Sequence, residues 1–140
     1  MATNVSIIKI KASTQKVWDT ITKPEFVKLW QYGSDLQTTW VIGSKIRFET
    51  EWQGKLFEQW GQVLEVKPHE FIKYSLFAPR PDLEDKPENY FIMSYVLTQQ
   101  GEQTQLEIIQ EDNRPNAVQE ELQNEENPLL KSLKEIAETY

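Results

Sequence analysis

Between Lys45 and Trp52 the side chains alternate in character. Ile46, Phe48, Thr50 and Trp52 share one parity; Lys45, Arg47, Glu49 and Glu51 share the other. Successive side chains of an extended chain point to opposite faces, so this stretch predicts a strand with one wet and one dry face. Such strands belong to antiparallel sheets covered on one side only. A chain built this way must supply something to cover the dry face, and that requirement limits the folds open to it.

The pattern continues on both sides. Gly43-Ser44 predicts a turn before the strand and Gln53-Gly54 a hairpin turn after it. The return strand, "KLFEQWGQVLEVKP", does not hold one phase: Leu56, Trp60, Leu64 and Val66 share a parity, and Phe57 and Val63 take the other. A bulge near Gly61 reconciles them, and the inward parity of 55–66 stays open. Pro68-His69 predicts the next turn, followed by a strand with Ile72, Tyr74 and Leu76 in phase. Two further strands meet at Gly101-Glu102, one aligning Phe91, Met93, Tyr95 and Leu97, the other Leu106, Ile108 and Gln110. Near the N-terminus, Val5 to Lys11 reads as a strand whose apolar face is mostly the even one.

Helices stand at the two ends. "STQKVWDTITKPEFVKLW", residues 13–30, carries two tryptophans and a central proline. Ser13 is a good N-cap, and Val17, Trp18 and Ile21 follow at helical spacing. Pro24 cannot continue that helix and biases Lys23 away from helical dihedrals. Thr22 is the expected cap of a second short helix with Phe26, Leu29 and Trp30 on one face. At the other end Asn127 caps, Pro128 takes the first position, and Leu130, Leu133, Ala137 and Tyr140 line one stripe, widened by Leu129 and Ile136. The acidic "NAVQEELQNEEN" before it reads as a loop or an exposed, frayed helix. "APRPDLEDKPEN" is long and aperiodic, consistent with either a lid over a cavity, with Arg80 as a gate charge, or an ordinary hairpin connection.

These elements predict an α+β fold: a curved antiparallel sheet of about seven strands wrapped on the C-terminal helix, with two short helices after the first strand. The short helices then form a plug at one end of the space between sheet and helix, with Trp18 and Trp30 as its apolar mass. The 140 residues make one domain, 1–140. The absence of cysteine excludes disulfides and zinc-thiolate sites. With neither a signal peptide nor a membrane span legible, a cytoplasmic location is expected. The net charge of −7 argues against nucleic acid as a partner.

The motifs resemble the START-like (SRPBCC, helix-grip) superfamily. Within it they resemble the branch named for the ATPase activator of the 90-kilodalton heat-shock chaperone. Ala12, Ser13, Val17, Trp18, Ile21, Thr22, Pro24 and Trp30 match its opening signature. "WVIGSKIRF" is similar to the next block, with Ser44 where a second glycine often stands. Gly61, Val63, Glu65, Val66 and Pro68 match a third, and "TQLEIIQED" and "NPLLKSLKEIAE" occupy the last strand and final helix. The resemblance implies a cavity between sheet and C-terminal helix that holds lipids, sterols, polyketides or other apolar molecules, with cyclases among a few members. It also implies a tie to the stress response. A histidine that members often place on the last strand is Gln110 here, which weakens the transfer of an acid-base role. Eukaryotic activators carry an additional N-terminal domain that nothing in this chain matches.

Sixteen aromatic residues (five Trp, five Tyr, six Phe) either fill the core or line such a cavity. The candidate lining is Trp30, Phe48, Trp52, Trp60, Tyr74, Phe91, Tyr95, Gln110, Leu130 and Leu133, with Tyr74 and Tyr95 orienting a ligand's polar atom. Glu58 shares the parity of Trp60 and reads as a solvated acid; turned inward it becomes a buried carboxylate with a raised pKa. His69, the only histidine, reads as a solvated turn residue. No catalytic residue, metal ligand set or cofactor is expected. The preferred function is binding of a small apolar or aromatic molecule. The alternatives are a module that regulates a chaperone ATPase, acting as monomer or dimer, and a cyclase or hydrolase.

Overall fold

Strands β1 (Ala2–Ile10), β2 (Asp35–Thr38), β3 (Lys45–Trp52), β4 (Lys55–Lys67), β5 (Phe71–Phe77), β6 (Phe91–Gln100) and β7 (Gln103–Asp112) form one antiparallel sheet in the order β1-β7-β6-β5-β4-β3-β2. The computed structural model describes residues 2–31, 33–114, 117–124 and 126–140, and only the backbone of Trp52. Helices α1 (Thr14–Thr22) and α2 (Pro24–Trp30) connect β1 to β2, and α3 (Pro128–Thr139) ends the chain. This is the α+β helix-grip arrangement. Its strand order explains the helical insertion. β1 and β2 occupy opposite edges of the sheet, so the segment joining them must traverse its width. Two short helices with a corner do this across the dry face.

The dry faces come into register as the alternation predicts. Phe48 lies opposite Gln59, Tyr74 opposite Val63 and Met93, and Leu76 opposite Phe91. Tyr95 lies opposite Ile72 and Ile108, and Leu106 opposite Leu97 and Ile8. The apolar members of these pairs, with Met93 partly buried against them, and Leu130, Leu133 and Ala137 of α3 belong to one hydrophobic cluster.

The bulge expected near Gly61 lies further on. Val63 pairs with Tyr74 and Glu65 with Lys73, which leaves Leu64 as the extra residue. Gly61 has a different reason to be glycine: a Cβ there would stand 1.8 Å from the Ser75 carbonyl oxygen. Before the bulge Gln59 and Val63 face inward, and after it Val66 does. Leu56 and Trp60 therefore face outward. The hairpin at Gln53-Gly54 has φ of 50° and 77°, the left-handed pair of a type I′ turn.

Ser13 Oγ accepts from the Lys16 N–H at 3.2 Å, as its capping role requires. Lys23 is extended (φ −82°, ψ 127°), as the following proline demands, and is itself the N-cap of α2, without a side-chain bond. Thr22 does not cap α2; its hydroxyl donates back to the Trp18 carbonyl at 2.7 Å. The buried face of α2 is Val27 and Trp30, while Leu29 is exposed. In α3 the Asn127 side chain accepts from the Leu129 and Leu130 N–H groups, and Leu130, Leu133 and Ala137 are buried. Tyr140, expected in that stripe, is exposed at the chain end, its ring 6.3 Å from that of Phe26.

The acidic segment is not helical where it is described. Residues 117–123 run along the free edge of β1. Gln123 N–H donates to the Val5 carbonyl and Ile7 N–H to that of Gln123, both at 3.0 Å. The Gln119 side-chain amide pairs with both backbone groups of Thr3. An edge strand exposes unpaired backbone groups, and this segment satisfies some of them despite its charge.

Candidate functional site

A cavity of about 320 Å³ lies between the inner face of the sheet, α2 and the start of α3. Trp30, Phe48, Tyr74, Phe91, Tyr95, Gln110 and Leu130 of the candidate set line it. Leu133 is fully buried in the cluster beneath. The side chain of Trp52 lies outside the described residues. Trp60 is a correction: it sits on the outer face, because the bulge comes four residues after it and leaves its parity outward. There it packs against Phe77 at 5.4 Å and donates from Nε1 to Asp85 Oδ2 at 3.0 Å.

The outer face also takes Glu58 and part of the Pro-rich loop. Glu58 is paired with Arg47 at 2.5 Å on that side and takes no part in the cavity. The Pro-rich loop folds the same way, with Tyr90 Oη donating to Asp85 Oδ1 at 2.5 Å. Asp85 thus ties the loop to Trp60, and this part of the loop does not cover the cavity. Arg80 lies near the mouth instead, in a shallow depression shared with Asn4, Gln110 and Asp112. His69, at φ 68°, is an exposed turn residue whose ring meets Trp18 edge-on at 6.0 Å.

The plug is held by two indole hydrogen bonds. Trp30 Nε1 donates to the Thr20 carbonyl at 2.8 Å. Trp40 Nε1 donates to the Thr22 carbonyl at 2.9 Å, and its ring stands 6.2 Å from that of Tyr74. These carbonyls end α1, where intrahelical donors run out. Sequence reasoning missed Trp40, since it lies between β2 and the Val41–Ser44 turn with φ 58° and shares no periodicity with its neighbours.

At the buried end the rings of Tyr74 and Tyr95 stack 6.0 Å apart, and their hydroxyls approach to 3.3 Å. Burial, reinforced by Tyr95, holds the Tyr74 phenol well above its usual range, and burial also raises Tyr95. Both are neutral donors at physiological pH. The mouth is lined by amides. Asn4 Nδ2 donates to Gln110 Oε1 at 3.4 Å, and Gln59, Gln123 and Asn127 complete the rim with the carboxylate of Glu120. Gln59 became legible as inward-facing only once the phase of β4 was known, whereas Met93 shares the parity read for Phe91 and Tyr95. Asn4 and Gln123 depend on the β1 edge pairing.

Beside the mouth, Arg114 grips Asp112 with bonds of 2.9 and 2.6 Å and lies 4.7 Å above the Phe91 ring. The Arg114 hydrogen bond holds the Asp112 carboxyl below its ordinary value. A depressed acid stabilises the fold above its unfolded pKa, about 3.9, and that contribution is lost as pH falls through the lower folded value. Wild-type stability should therefore drop below about pH 4 more steeply than that of Asp112→Asn, measured by urea unfolding across pH. Equal slopes would show that the pair does not contribute.

A one-sided antiparallel sheet packed over a C-terminal helix defines the helix-grip fold. The chain belongs to the family described as activator of Hsp90 ATPase homolog 1-like protein, which matches residues 11–138. A search of curated proteins finds no match. Among solved structures, a Cytophaga hutchinsonii protein is 31% identical, with a TM-score of 0.66 over 80% of this chain and 78% of that one. The Aha1 dimer from Colwellia psychrerythraea is 20% identical, TM-score 0.70, over 99% and 98%. An HSP90 activator from Plasmodium falciparum is 13% identical, TM-score 0.65, over 84% and 76%. The last two likenesses establish the fold alone. Among the described residues no helix is long and apolar enough to cross a membrane.

Proposed function

We propose that this protein binds a small apolar or aromatic molecule non-covalently in the cavity between sheet and α3. The observation that carries this reading is a hollow of about 320 Å³ bounded by inner-face aromatics, with a phenol pair at its buried end. Ligand sites are mostly apolar, with a few placed polar groups. At about 30 Å³ per liquid water, the volume equals roughly ten waters, enough for a bicyclic compound. An acid-base role has less support: Tyr95 bonds Tyr74, Gln110 bonds Asn4, and Glu58 is on the far face.

Titration with a panel of lipids, sterols and aromatic metabolites tests it through tryptophan fluorescence. A saturable change is expected from Trp30 at the cavity wall, and Trp60→Phe, on the opposite face, should leave the change intact. A flat response across the panel would remove the reading.

Family membership favours a second reading, a module acting on a heat-shock chaperone. The discriminating assay is chaperone ATPase with and without this chain. Absence of both stimulation and co-purification would count against it.

A further inference from the structure

Hydrogen-bond donors and charges are unevenly distributed around the cavity. The phenol pair contains two O–H groups but only one mutual hydrogen bond. One phenolic hydrogen therefore has no acceptor among the described residues. The mutual bond is also weak: 3.3 Å is longer than the usual O–H···O range of about 2.5–3.0 Å. A buried donor without a partner carries a desolvation penalty that an incoming acceptor would relieve.

The other groups at the wall point the same way. Among the described residues no lysine, arginine or histidine lines the cavity. Positions 1, 32, 115, 116 and 125, outside them, carry no such side chain either. Among the described residues the one charged liner is Glu120. In the depression beside the mouth Arg114 is committed to Asp112 at 2.6 Å, while Arg80 makes only a loose, exposed contact with Asp82 at 3.6 Å and does not line the cavity. An anion entering here would lose its water, meet a carboxylate at the rim and find no cation inside. The overall charge of −7 adds to that exclusion.

We infer that the cavity selects uncharged apolar molecules bearing one hydrogen-bond acceptor, such as ketones, esters or ethers, and rejects carboxylates and phosphates of the same shape. This rests on the ligand-binding reading above and narrows it: free fatty acids and phospholipid headgroups are excluded from the interior. Either phenol can make the bond, since the hydrogen left over belongs to whichever hydroxyl accepts in the pair.

Calorimetric titration at neutral pH with three probes of matched shape tests this: a naphthyl methyl ketone, isopropylnaphthalene and naphthoate. The ketone should bind about threefold to tenfold tighter than the hydrocarbon, the worth of one net hydrogen bond. Naphthoate should bind about 100-fold more weakly than the ketone, or not measurably. Tyr74→Phe and Tyr95→Phe should each keep the ketone preference, and the double variant should lose it while still binding the hydrocarbon. Naphthoate binding as tightly as the ketone would overturn the inference and leave the container reading standing. Survival of the ketone preference in the folded double variant would do the same. If none of the probes binds the folded wild type, both fall. The wild-type comparison decides the charge claim even if the double variant does not fold.

Discussion

Trp30→Ala is expected to lower the free energy of unfolding by about 3–5 kcal/mol. The ring is 2% exposed, packs against the inner face of the sheet and forms one wall of the cavity. Truncation removes that apolar area, joins its volume to the existing hollow and leaves the Thr20 carbonyl without the indole donor at 2.8 Å. The residual cavity and the lost bond act in the same direction. Trp30→Phe retains most of the area and loses the hydrogen bond, so about 1–3 kcal/mol is expected from it. Urea unfolding curves for both variants provide the measurement. A loss below about 1 kcal/mol for the alanine variant would mean that this ring does not secure the plug.

Gly61→Ala is expected to be nearly as severe, at about 3 kcal/mol, the upper end of the overpacking range. The added methyl would lie 1.8 Å from the Ser75 oxygen and 2.6 Å from its carbonyl carbon. Both are backbone atoms of the neighbouring strand, so no side-chain rotation relieves the clash. Pairing of β4 with β5 must open locally, next to the bulge that sets which face β4 presents. Gly101→Ala is the contrasting variant: nothing lies within 4 Å, but φ is +63°. Its cost is backbone strain alone, about 1–2 kcal/mol. Equal destabilisation by the two would show that the clash at Gly61 relaxes freely.

Much of the architecture was legible because it follows from local periodicity and from residues with hard steric rules. Ile46 and Phe48, or Leu106 and Ile108, differ from their neighbours by face, and a period of two needs no knowledge of partners. Pro24 and Pro128 mark helix starts, since proline lacks the N–H that a helix interior must donate. The seven candidate residues that line the hollow lie on elements whose phase runs unbroken.

The errors share a different cause. Thr22 has the chemistry of a cap, but its hydroxyl found the Trp18 carbonyl one turn back. Leu29 belongs to the apolar stripe of α2 by spacing, but its side chain is exposed. Trp60 went to the wrong face because one extra residue inverts the phase of a strand. The sequence contains two signals for that residue's position, the shift in parity and Gly61, and they do not coincide.

The sequence by itself determined the kind and approximate number of elements, most of the turn positions and the dry parity of β1, β3, β5, β6 and β7, all consequences of chain stereochemistry within a few residues. Tertiary structure alone decided where the bulge falls, that the acidic segment serves as an edge partner of β1, that two indoles hold the end of α1, and that two tyrosine hydroxyls share one hydrogen bond at the buried end of the cavity. Each of these depends on contacts between segments distant in the chain, where packing and unpaired backbone groups, not periodicity, select the arrangement.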